Sequence, residues 1–147
     1  MPDAAMKSFE SSVLVDAPTE KAWGVVSNVA AWPRCLATVS KIDALDGAAL
    51  GIGCRFVVHQ PKLKPATWKI TRLDPPRLFV WEARYPGLRI IAEHAVIEET
   101  PRRARVVLRM TFAGLFGGMA ARRLRSVTED YLAQEGVSFK RTAESLP

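Results

Sequence analysis

From Thr38 to Phe112 the chain alternates apolar and polar residues with period two, and turn-forming residues interrupt it at short intervals. No other feature constrains the fold as strongly. Strands are expected at 38–45, 53–60, 66–74, 78–85, 88–99 and 104–112. The breaks between them are Asp46-Gly47, the stretch Pro61 to Pro65, Asp74-Pro75-Pro76, Pro86-Gly87 and Thr100-Pro101, each with the chemistry of a tight turn. Strands joined by such short connections pair antiparallel with their neighbours. Lys7 to Asp16 alternates in the same way and supplies a seventh strand, expected to close against the last.

A sheet of this kind needs cover for its apolar face, and the segment from Leu115 to Thr142 offers it. After Gly117-Gly118 this segment contains no proline, and Ala120, Leu124, Val127 and Tyr131 recur at helical spacing. Beyond Tyr131 the stripe passes through Gln134 and Ser138, with Val137 and Phe139 on either side. Between the first two strands, DAPTEKAW begins a helix, with Pro18 near the first helical position and Glu20 in the first turn. That helix is expected to bury Trp23, Val25, Val26 and Val29 and to end near Val29. A second short one around Trp32-Pro33 reaches about Leu36. The expected fold is α+β, in a single domain: a curved seven-stranded antiparallel sheet, two short helices and one long C-terminal helix.

The composition of the 147 residues, 48% hydrophobic and 24% charged, suits a packed core and excludes wholesale disorder. There is no apolar run long enough to span a membrane and no signal-peptide pattern at the start, so a cytoplasmic location is expected. Cys35 and Cys54 read as thiols serving as small apolar fillers. Two histidines and two cysteines are too few and too far apart for a metal motif, and no nucleotide-binding or nucleophile-elbow sequence is present. Neither a metal nor another cofactor is expected. The net charge of +6 could favour nucleic acid, an anionic membrane or an acidic ligand. Nucleic acid is disfavoured, because strand parity sends the aromatic residues to the face opposite the arginines. A weak, salt-sensitive contact with anionic membranes stays open.

The same parity sorts the side chains. One face collects Phe56 and Val58; Trp68 and Ile70; Phe79, Trp81, Ala83 and Tyr85; Ile90, Ala92, His94 and Val96; Val106, Leu108, Met110 and Phe112. The other carries Arg55, His59, Lys69, Thr71, Glu82, Arg84, Arg89, Glu93, Arg105, Arg109 and Thr111, a solvated surface. Arg72 and Glu98 share the inward parity but sit near strand ends, where a side chain can turn back to water.

The order strand, two short helices, six strands and long helix resembles the helix-grip fold of the START and pollen-allergen-like superfamily (SRPBCC), and within it the polyketide cyclase/dehydrase-like branch. The resemblance rests on VDAPTEKAWGVVSNVAAWP at 15–33, GIGCRFVVHQP at 51–61, ATWKITRLDPPRLFVWEARYPG at 66–87 and the closing helix. It departs from the usual pattern at Cys35, where an aromatic often follows the Trp-Pro pair. The resemblance implies an apolar cavity between sheet and helix. Its lining would come from Phe56, Val58, Trp68, Ile70, Trp81, Ala83, His94, Val96, Leu108 and Phe112, with Trp32, Phe116 and Met119 at its mouth. On this reading the helix from Phe116 to Leu124 faces His94 and the tryptophans, while Val127 to Phe139 provides plain packing.

His94 is the titratable group placed in the middle of the apolar face. Two roles stay open for it: a satisfied core group, or a ligand-orienting and acid–base residue, as its ordinary pKa near working pH would allow. Tyr85 and Tyr131 could offer hydroxyls to a ligand or reach solvent at the core edge. Gly114, Gly117 and Gly118 with Arg122 and Arg123 could form an anion nest or a gate, or could merely bend the chain into the helix. The expected function is binding of a hydrophobic small molecule, such as a lipid, quinone or polyketide-like compound. The alternative is a polyketide cyclase, dehydrase or aromatase using the same cavity. With His94 the chief polar group on the inward face, binding is the leading reading.

Overall fold

The computed structural model describes residues 7–147. In chain order the elements are β1 (Lys7–Val15), α1 (Thr19–Val26), a 3-10 turn (Val29–Ala31), α2 (Trp32–Cys35), β2 (Lys41–Ala44), β3 (Arg55–His59), β4 (Ala66–Asp74), β5 (Leu78–Tyr85), β6 (Leu88–Thr100), β7 (Arg103–Ala113) and α3 (Gly117–Ser145). The strands form one antiparallel sheet in the order β1-β7-β6-β5-β4-β3-β2. Each short turn makes its hairpin, and β1 closes against β7 from Lys7 opposite Phe112 to Val15 opposite Ala104. The sheet curves around α3 in the helix-grip arrangement, and α1 and α2 close one end. Among the described residues no helix is long and apolar enough to cross a membrane.

Three local differences from the expected elements have physical causes. Strand β2 begins at Lys41 rather than 38 because the chain after α2 first makes a turn, in which the Val39 amide donates to the Leu36 carbonyl at 3.2 Å and Thr38 and Val39 are both buried. Helix α1 ends at Val26, where Ser27 turns its hydroxyl back to the Trp23 carbonyl at 2.7 Å and caps the last turn. In β4 the register against β5 shifts between Ile70 and Arg72. That bulge sends Arg72 to solvent and brings Leu73 against the core. A second irregularity lies between Glu98 and Thr100, and Glu98 is exposed.

Inward parity elsewhere builds the core. Phe56, Ile70, Phe79, Val96, Leu108 and Phe112 are all but fully buried. Tyr85, at the end of β5, is exposed instead, and Thr111 on the outer face is covered by β1, where its hydroxyl lies 2.9 Å from that of Ser8. Helix α3 presents Gly117, Ala121, Thr128, Tyr131, Leu132, Gly136, Phe139 and Ala143 as its buried residues. The stripe is rotated relative to the expected one, with Ala121 in place of Ala120, and it continues through the second half of the helix. Gly136 faces β1, where an added Cβ would make ordinary van der Waals contact with Ser11 and Val13 at 3.6 Å.

The entry to α3 depends on one glycine. Gly114 has φ +95°, and an added Cβ would lie 2.7 Å from the Gly87 carbonyl oxygen in the β5–β6 turn. The same carbonyl accepts the Phe116 amide at 2.8 Å, so the turn sets where the helix starts. Gly114→Ala is expected to cost about 2–3 kcal/mol, from left-handed strain and backbone collision together. Gly118→Ala, whose Cβ would meet nothing within 4 Å, is expected to gain up to about 1 kcal/mol. Urea unfolding of the two variants checks this contrast.

Candidate functional site

A single helix cannot fill the whole concave face of a seven-stranded sheet, and two adjoining spaces remain under the middle of α3. The larger is an apolar recess of about 320 Å³. Its walls are Trp68 of β4, Ile90 of β6, and Met110 and Phe112 of β7, faced by Leu124, Val127, Thr128, Tyr131, Leu132 and Glu135 of α3. It runs from exposed Lys64 and Tyr85 inwards to Gln60 and Glu135. The smaller is a cleft of about 30 Å³ deeper in the fold, between Trp32, Val58, Trp81, His94 and Leu108. Gln60, Trp68, Met110, Leu132 and Glu135 line both spaces.

The residues expected to line one cavity thus separate. Trp68 and Phe112 line the recess, while Trp32, Val58, Trp81, His94 and Leu108 surround the cleft, which Trp68 also touches. Phe56, Ile70, Ala83 and Val96 lie in the packed core. Phe116 and Met119 do not line the mouth: they are 45% and 60% exposed, and the Phe116 ring lies against Gly87. With Leu115 they form an exposed apolar turn beside Arg122 and Arg123. The division of labour along α3 is also reversed. The part that covers the aromatic cluster is near Phe139, whose ring centroid is 5.7 Å from that of Trp32, and the recess lies under Leu124 to Glu135.

His94 is held as a core group. Its ring stacks on Phe79 at 4.0 Å and 9°, with Trp32 and Trp81 rings at 5.6 and 5.5 Å. Its Nδ1–H points to the Phe79 carbonyl at a long 3.4 Å. Burial disfavours the charged imidazolium and pushes the pKa down to about 3, against the weaker pull of that carbonyl. At neutral pH the side chain is a neutral, immobilised ring.

The polar residue that the sequence reading overlooked is Glu135. It lies four residues beyond Tyr131 and therefore on the same helix face; following the stripe by three residues instead led to exposed Gln134. Thr38, buried in the turn before β2, donates its hydroxyl to Glu135 Oε2 at 2.9 Å. One turn earlier the Tyr131 hydroxyl donates to the Pro61 carbonyl, which ties α3 to the loop at the recess. Burial pushes the Glu135 pKa up to about 7, and the Thr38 hydrogen bond offsets only part of this. A carboxyl group that is partly neutral at working pH can both donate and accept a proton, which His94 cannot do here.

The polyketide cyclase/dehydrase and lipid transport family model matches residues 6–144. No curated protein sequence matches the chain. Among solved structures the fold is similar to that of the ZhuI aromatase/cyclase from Streptomyces sp. R1128, with TM-score 0.77 and 22% identity over 95% of this chain and 94% of that one. It is also similar to norcoclaurine synthase from Thalictrum flavum in complex with dopamine and hydroxybenzaldehyde (TM-score 0.76, 13% identity, 99% and 92% covered). A third likeness is to the di-domain aromatase/cyclase BexL from the BE-7585A biosynthetic pathway, with TM-score 0.69 and 19% identity, where 94% of this chain corresponds to 46% of that one.

His94 and Glu135 pull stability in opposite directions with pH. His94, depressed from 6.5 to about 3, contributes stability that is present above pH 6.5 and lost as pH falls towards 3. Glu135, raised from 4.5 to about 7, contributes stability that is present below pH 4.5 and lost as pH rises through 7. Glu135→Gln should therefore gain on the parent protein by about 2 kcal/mol between pH 5 and pH 8, allowing for partial solvent screening. Urea unfolding at the two pH values measures the gain, and an unchanged gap would mean that Glu135 titrates normally.

Proposed function

Because the chain belongs to the polyketide cyclase/dehydrase and lipid transport family, within the START and pollen-allergen-like superfamily, we propose that it binds a hydrophobic small molecule in the recess between sheet and α3. The observation that carries this reading is the recess itself: about 320 Å³ walled by Trp68, Ile90, Met110, Phe112, Leu124 and Val127. A fold that needed only a core would fill such a volume, because empty apolar space forfeits contact energy. A bicyclic aromatic or short polyketide-like molecule burying roughly 250 Å² of apolar surface there would gain about 6 kcal/mol before the cost of association. Gln60, Thr128 and Glu135 supply a few polar groups that would fix its orientation.

Cyclase, dehydrase or aromatase chemistry in the same recess is the second reading. Its specific support is Glu135, a carboxyl group poised near neutrality beside an apolar space, which turnover needs and simple carriage does not. The aromatase/cyclase and norcoclaurine synthase structures support it only as folds of this kind.

Val127→Trp fills the recess from the helix side without touching the aromatic core. Titration with 1-naphthol, followed by quenching of tryptophan fluorescence, should give at least a tenfold weaker Kd in the variant than in the parent protein, with thermal unfolding little changed. Organic extraction of protein purified from its own host should yield a retained molecule from the parent protein and none from the variant. Equal affinities and empty extracts would remove the binding reading.

A further inference from the structure

We propose that Glu135 is the acid–base residue of the recess, exchanging a proton with the carbon next to a carbonyl group of the bound molecule. The proposal rests on the recess being the binding site, and it narrows the ligand class to apolar ketones with an enolisable C–H.

The geometry carries it in three steps. Glu135 stands where the recess meets the inner cleft and lines both, so a molecule entering the recess ends its path against this side chain. Its Oε2 is engaged by Thr38, which fixes the carboxyl group. Its Oε1 accepts no hydrogen bond from the described residues. Among those residues the only sealed side-chain oxygen or nitrogen without a partner is Thr19 Oγ1. Glu135 Oε1 is therefore not sealed in the core, and the spaces that Glu135 borders are the recess and the cleft.

A carbonyl needs a donor as well as a base, and Gln60 supplies one. It lines both spaces alongside Glu135, and its side-chain amide makes no hydrogen bond to the described residues. With the ketone oxygen on the Gln60 amide N–H, the neighbouring C–H faces the carboxylate. The C–H bond breaks, its proton passes to Glu135 Oε1, and its electron pair forms the enolate double bond as the carbonyl π pair moves to oxygen. Returning a proton from Glu135 to carbon reverses the step, so nothing is oxidised, reduced or consumed.

The surroundings suit a base of this kind. The other charged residues bordering the two spaces are Lys64, from the β3–β4 loop, and Glu93 of β6 and Arg109 of β7, whose parity sends their side chains to the outer face. Arg109 is paired with Glu10 at 2.8 Å. His94, across the cleft, is neutral, and the Tyr131 hydroxyl is committed to Pro61. None of these charges sets the Glu135 pKa, which burial raises to about 7. That value leaves about half the molecules ionised at neutral pH and makes the ionised form a stronger base than an ordinary carboxylate.

The probe is 1-tetralone, an apolar bicyclic ketone with exchangeable hydrogens beside its carbonyl. Binding is followed by quenching of tryptophan fluorescence, and deuterium uptake from D2O near neutral pD by mass spectrometry. The parent protein should speed exchange at least tenfold over buffer containing an equal concentration of acetate. Glu135→Gln should lose the acceleration even at 1-tetralone concentrations that saturate it, as fluorescence quenching measures. Glu135→Asp, which keeps the charge but draws it back from the recess, should retain binding and a reduced exchange rate; it serves as the readout if the Gln variant does not fold. Binding without acceleration, or acceleration that survives in Glu135→Gln, overturns the assignment of Glu135 and leaves the binding reading intact. No binding of 1-tetralone by the parent protein overturns the ketone site and counts against the recess reading itself.

Discussion

The covering of one curved apolar face by one helix is the constraint on which the rest of this structure depends. Antiparallel strands with inward aromatic and aliphatic residues must exclude water from their concave side, yet a helix with its side chains is only about 10–12 Å across. α3 meets that demand along its whole length, from Gly117 to Ala143, and α1 and α2 close the end where it is not enough. What neither can fill becomes the recess.

That unequal coverage explains why the two ends of the interior differ in chemistry. Where α1, α2 and the last turns of α3 converge, Trp32, Phe79, Trp81 and Phe139 pack ring against ring, and His94 is caught among them. Packing there is dense, so the histidine loses its proton affinity and its freedom together. Under the middle of α3 only the helix faces the sheet, and the walls stay apart. Glu135 stands at the boundary between the two regimes. It is desolvated enough to shift its proton equilibrium, yet not walled in as His94 is. Its anchor comes from Thr38, in the turn that replaces the start of the expected second strand, so a local departure from regular structure holds this carboxyl group.

Much of this was legible in the residues themselves. The turn-forming breaks located all six strands of the Thr38–Phe112 region, and the alternation between them told inward Trp68, Trp81 and Leu108 from outward Lys69, Glu82 and Arg109. The block from Val15 to Pro33 and the closing helix carried the resemblance to a family whose model matches nearly the whole chain. Strand parity succeeds because successive side chains point to opposite faces, so identity alone reports which side meets water. It failed at Thr111, where a neighbouring strand covers an outward side chain, whereas Arg72, of inward parity, turns to water as its place near a strand end allowed, through a bulge that changes the count.

The sequence by itself determined the element order, the antiparallel sheet and the inward aromatic face, because each follows from periodicities the backbone imposes locally. Only the tertiary structure decided which inward residues border empty space and which lie in packed core, since that depends on the gap between helix and sheet rather than on any residue's own pattern. It also decided the surroundings of His94 and Glu135. Stepping three or four residues along a helix stays on nearly the same face, so the sequence allowed either Gln134 or Glu135 to point inwards. The seating of α3 against β1 through Gly136, with Tyr131 tied to Pro61, settled the choice on the carboxylate.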